Sequence, residues 1–81
     1  MDYVEAVDKF KAAYMVTALW THLGNVSKTA EALGITRRTI QLSVSASRIN
    51  VPKIRKESNA LYEEGITELE DPSRYFRRGK K

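Results

Sequence analysis

Ala30, Gly34, Ile35 and Ile40 stand at set intervals within residues 24–41, GNVSKTAEALGITRRTIQ, and no other feature limits the possible folds as strongly. Two helices that cross closely need a small residue at the crossing, and Ala30 is that residue. Four positions on, the chain must reverse through left-handed backbone space, which favours glycine; Gly34 stands there. An apolar plug must follow at once, as Ile35 does, and Leu33 packs between the helices. Five residues after Ile35, Ile40 anchors the second helix. The spacing predicts a helix-turn-helix, although a corner between purely structural helices shares it.

The flanking sequence is helical as well. Residues 3–23 lack glycine and proline, and apolar residues recur at steps of three and four: Tyr3, Val7, Phe10 and Tyr14, then Ala13, Val16, Trp20 and Leu23. This stripe is wider than one short partner helix covers. It reads as ordinary core, or its N-terminal half, Tyr3, Val7, Phe10 and Tyr14, meets the same helix of a second chain. A core drawn from 81 residues is small enough for such help to matter. Gly24-Asn25 ends the first helix, and Asn25 or Ser27 caps a second over about Ser27 to Leu33. Thr36 caps a third, from Arg37 to about Arg48, although the alternation in LSVSAS also fits a strand. Pro52 opens a fourth helix, expected to Glu64 and extended to Glu70 if Gly65 is tolerated. Asp71-Pro72-Ser73 is a stop. The fold class is all-α: a long first helix, a helix-turn-helix and an additional C-terminal helix. Residues 1–50 form the helix-turn-helix domain, 51–70 a helix packing on it, and 71–81 a basic flexible tail.

Charge is unevenly spread. The net charge of +4 resolves into −1 over residues 1–23, +3 over 24–50, −2 over 51–70 and +4 over 71–81. Positive charge therefore collects at the corner and at the tail, two places suited to a polyanion. The third helix turns Ile40, Val44 and Ser47 toward the core. Its outward set is Thr36, Arg37, Arg38, Thr39, Gln41 and Ser45, with Lys28 on the preceding helix. Arginine can pair with a guanine edge and glutamine with adenine, while threonine hydroxyls and free helix N–H groups suit phosphates. Cations at a helix N-terminus oppose its dipole, so Arg37 and Arg38 point to an anionic partner, double-stranded DNA in its major groove. In the tail, Arg74, Arg77, Arg78, Lys80 and Lys81 are a DNA-seeking arm or a solubilising terminus, and Tyr75 and Phe76 dock it on the domain or stack on bases.

With these residues in place, YVEAVDKFKAAYMVTALWTHLGNVSKTAEALGITRRTIQ resembles the Fis-type helix-turn-helix domain. That domain occurs at the C-terminus of bacterial nitrogen-regulator-type enhancer-binding activators and in the nucleoid protein Fis. The matching positions are Gly24-Asn25, Ser27, Ala30, Leu33-Gly34-Ile35, Thr36, Arg37, Arg38 and Thr39-Ile40. The resemblance implies an all-helical homodimer paired through its first helix, with the third helix reading DNA. It places the base-contacting arginine at Arg37 and phosphate-contacting residues at Thr36 and Thr39. The reading that follows is a bacterial transcription regulator or nucleoid-associated protein, cytoplasmic and on the nucleoid. The chain departs from the pattern at Gln41-Leu42-Ser43, where the family has a basic stretch, and by continuing for about thirty residues beyond the third helix. The fourth helix, through Ile54, Leu61 or Tyr62, is expected to cover Leu42 and Ile49, leaving two turns of the third helix free.

Other functions find little support. The single histidine, His22, builds no metal site or proton relay, and there is no cysteine. Glu63-Glu64 reads as a solvated helix face, and the isolated glycines make no phosphate loop. No catalytic residue, cofactor or metal is expected, and no run is long enough to span a membrane. The N-terminus has acids where a secretory signal has basic residues. The rival to DNA binding is a helical protein-interaction module that keeps the corner as scaffold.

Overall fold

The computed structural model describes residues 2–77. Four α-helices, α1 (Tyr3–Thr21), α2 (Val26–Leu33), α3 (Arg37–Ser47) and α4 (Val51–Glu63), are followed by a short 3-10 turn over Pro72–Tyr75. The fold is all-α. Among the described residues the one β-type pairing is a bridge between Ile49 and Phe76.

Each α-helix begins with a side-chain cap that its sequence supplies. Asp2 accepts from the Glu5 N–H at 2.9 Å while Glu5 reaches back to the Asp2 N–H, a capping box. Asn25, Thr36 and Asn50 cap α2, α3 and α4 by accepting from Lys28, Thr39 and Lys53 N–H groups. Of the two candidates for α2, Asn25 does the work.

All four helices end with the same reversal, a residue of positive φ whose successor donates back to the carbonyl five residues earlier. The pairs are Gly24 to Leu19, Ile35 to Ala30, Ile49 to Val44 and Ile66 to Leu61. Gly34 (φ 70°) fills the left-handed position after α2, as its sequence context predicts. After α1 and α3 the position falls to Leu23 (φ 59°) and Arg48 (φ 57°). The reversal after Leu61 also answers the open question about α4. It stops at Glu63 and does not run on to Glu70.

The core gathers on the C-terminal half of α1. Val16, Leu19 and Trp20 are buried against Ala30, Ile40, Ile49 and Ile54. α4 lies along α1 and closes its end: Arg55 Nη2 donates to the Gly24 carbonyl at 3.0 Å, and Asn59 Nδ2 to that of Leu23 at 3.3 Å. These bonds satisfy carbonyls that a helix terminus otherwise leaves to water.

Two expectations about the C-terminal third are corrected. The segment from residue 71 is not a flexible tail as far as residue 77. Tyr75 is 1% exposed, its ring 5.3 Å from that of Trp20, and its hydroxyl donates to Glu57 at 2.7 Å. Burial, and then the Glu57 carboxylate, push its phenol up to about 12. Backbone bonds from Asn50 to Tyr75 and from Arg77 to Arg48 hold the segment down. Burial of this ring, its hydroxyl bond to Glu57 and the two backbone bonds together offset the entropy of ordering the short turn. Arg78, Lys80 and Lys81 lie outside the described residues.

The second correction concerns Leu42 and Ile49. α4 does not cover Leu42, which is 57% exposed, because α4 lies against α1 instead. Ile49 is buried, but not as part of α3. The reversal at Arg48 turns it inward, where it shares the core with Ile54. Tyr62, a proposed cover, is itself 57% exposed.

Candidate nucleic-acid interface

The corner is built as its spacing requires. Ala30 and Ile40 are buried, and Leu33 and Ile35 pack half-buried against the same core. The Ile35 N–H returns to the Ala30 carbonyl at 3.0 Å, locking the turn between α2 and α3. With Ile40 inward and Val44 against the core, the opposite side of α3 is left to solvent.

Thr36, Arg37, Arg38, Thr39, Gln41 and Ser45 are all exposed. Arg37, Gln41 and Ser45 follow one another at steps of four, with Arg38 and Leu42 beside them, so the exposed strip runs the length of α3 rather than two turns. Lys28 is exposed on the first turn of α2. Among the described residues the only ion pair is Arg74 to Glu57 at 3.9 Å, so Arg37, Arg38 and Lys28 carry no paired carboxylate. The cap adds detail. Thr36 Oγ1 accepts from the Thr39 N–H and lies 3.0 Å from Thr39 Oγ1. If Thr39 donates to Thr36, the Thr36 hydroxyl hydrogen stays free to donate outward. The first N–H groups of α3 point the same way, as at any helix start.

The far end of α3 is basic as well, which the pattern of residues 24–41 did not reveal. Arg48 is exposed at the reversal, and its carbonyl accepts from the Arg77 N–H at 2.6 Å. The bridge between Ile49 and Phe76 thus carries a second arginine to the end of α3. Only the fold brings these two together.

The described residues hold no cluster of His, Asp or Glu that would bind a metal ion, and no helix long and apolar enough to cross a membrane. Residues 6–42 match the family model described as bacterial regulatory protein, Fis family. No curated protein and no solved structure matches the chain. The match begins in α1, takes in the whole corner and ends in α3 at Leu42. Residues 6–42, a little under half of the chain, thus carry a helix-turn-helix like that of the Fis family, which supports DNA binding by this corner.

Proposed function

We propose that the protein is a homodimeric bacterial transcription regulator or nucleoid-associated factor of the cytoplasm, and that it lays α3 in the major groove of double-stranded DNA. The observation that carries this is the open N-terminal turn of α3, where two arginines without paired carboxylates among the described residues lie between the capping Thr36 and Thr39, beside free N–H groups. Arg37 and Gln41, one turn apart, read base edges. Thr36, Arg38, Thr39, Ser45 and Lys28 bind phosphates and set the register.

The dimer rests on a second observation. α1 carries apolar residues on two opposite sides. Met15, Val16 and Leu19 face the core, while Tyr3 (82% exposed), Phe10 (72%) and Tyr14 lie on the other side, with Val7 half-buried beside them. At about 28 Å, α1 is long enough for its N-terminal half to extend past the core and pair with a second copy. Exposed Leu42 beside uncharged Gln41 and Ser43 favours the rival, a protein-docking face on the same scaffold.

Footprinting on duplexes selected by the protein separates these. A dimer protects two half-sites about one helical turn apart. Phe10→Glu, which puts a charge into the pairing stripe, turns the pair into a single weak half-site and halves the mass by sedimentation. A wild-type monomer by sedimentation contradicts the dimer, and failure to select any duplex contradicts the regulator.

A further inference from the structure

The C-terminal segment builds an open cavity of about 650 Å3 against the start of α4, lined by Asn50, Lys53, Ser73, Arg74, Phe76 and Arg77. Three of its six residues are cations. The carboxylate nearest them in the bonding pattern, Glu57, is 3.9 Å from Arg74 and is already engaged by the Tyr75 hydroxyl. The other acidic group close by, Asp71, is turned to Ser73, accepting from its N–H at 3.0 Å and its hydroxyl at 2.7 Å. Those bonds hold the Asp71 carboxyl below its ordinary range, so it stays charged and occupied.

Two of the cations have side chains held by contacts, and the third, Arg77, is anchored at its backbone. Lys53 Nζ donates to the Arg74 carbonyl at 3.3 Å and sits 5.6 Å from the centre of the Tyr75 ring, with the Arg74 guanidinium 5.9 Å from the same ring. A buried aromatic ring thus positions two positive groups through its negative face. Arg77 is fixed through its backbone bond to Arg48 and its neighbour's bridge to Ile49. Asn50 uses its Oδ1 to cap α4, which leaves its amide NH2 as a further donor.

We propose that this cavity is a phosphate-binding pocket, and that the phosphate it takes is one of the DNA backbone, at the opposite end of α3 from Arg37. This source rests on the groove placement of α3. From Arg37 to Arg48 the helix spans about 16 Å. The major groove is about 12 Å wide, so a helix crossing it meets backbone at both ends. Arg48 and Arg77 stand at the second end, and Lys53 and Arg74 continue the positive track into the cavity. A free phosphorylated compound offers the same chemistry.

The test is a Lys53→Gln, Arg77→Gln double variant, with Arg74 left intact because it also pairs with Glu57, the partner of the Tyr75 hydroxyl. A Lys11→Gln, Lys56→Gln variant, exposed and away from the cavity, removes the same charge. DNA affinity is measured across a salt series, and amide shifts of Asn50, Ser73 and Arg77 are followed by NMR while inorganic phosphate is added. The expected result is roughly tenfold weaker binding on every sequence for the cavity variant, with the salt slope flattened by about 1, and a smaller loss for the control. Phosphate shifts the three amides in the wild type and not in the cavity variant. If DNA binds equally to the cavity and control variants while phosphate still shifts the amides, the pocket serves a free phosphate and the DNA source is overturned. If the wild type binds no DNA but shows those shifts, the groove placement fails and the phosphate pocket stands. No amide shift and an unchanged slope overturn the pocket itself.

Discussion

Gly24 and Gly34 both have positive φ, 75° and 70°, yet alanine at the two sites should cost different amounts. At Gly34 an added Cβ meets nothing within 4 Å. The cost there is the left-handed conformation alone, about 1–2 kcal/mol, less about 0.5 kcal/mol because alanine stiffens the unfolded chain. At Gly24 the new Cβ lies 2.7 Å from Arg55 Cα and Cβ and 3.0 Å from its backbone N. No rotamer change relieves that, because the atoms it strikes are backbone and the root of a side chain. α4 must move off the end of α1, stretching the bond from Arg55 to the Gly24 carbonyl, at an added cost of about 1–3 kcal/mol. Urea unfolding followed by circular dichroism should place Gly24→Ala well below Gly34→Ala in midpoint, with the slopes unchanged. Each kcal/mol corresponds to roughly 4–8 °C in Tm for a domain of this size. Equal midpoints would refute the close approach of α4 to the end of α1.

The remaining predictions bear on the C-terminal segment and on the end of α3. Tyr75→Ala should cost about 3–5 kcal/mol, as removal of a core aromatic does, whereas truncation of a loose tail would cost nothing; urea midpoints decide. With its phenol raised to about 12 in the fold, Tyr75 stays protonated there while the unfolded chain deprotonates above the ordinary value of 10. Stability therefore falls from about pH 10 upward as far as about pH 12, and the difference between wild type and Tyr75→Phe shrinks over that range. Arg48→Gly relieves a left-handed arginine and should stabilise the fold by about 1 kcal/mol in the same unfolding assay, while weakening DNA binding.

The corner was legible because each of its positions has a single physical duty. Small at the crossing, left-handed at the turn and apolar at the plug leave few residue types for Ala30, Gly34 and Ile35. The cap at Thr36 was legible for the same reason, and that at Asn25 as one of two candidates. The docking of Tyr75 was legible only as one of two alternatives. A single aromatic in a turn has no periodicity to reveal it, and the basic residues around it read as tail. The reversals at Leu23 and Arg48 were hidden because tertiary packing, not glycine, sets them. Leu42 misled because an apolar residue on a wheel says which side it occupies and not whether anything covers that side. The exposed residues Arg37, Arg38 and Gln41 follow from Ile40 facing inward. The basic far end of α3 depends on Arg77 arriving from 29 positions away in sequence, which only the bridge to Ile49 arranges.

The central claim is that α3 meets DNA with its N-terminal turn. The most direct test is fluorescence anisotropy of a labelled mixed-sequence duplex at two salt concentrations, comparing wild type with an Arg37→Ala, Arg38→Ala variant. The account predicts wild-type binding that falls steeply with salt and a variant that binds more weakly with a shallower salt dependence. Undiminished binding by a folded variant, or none by the wild type at low salt, would contradict it.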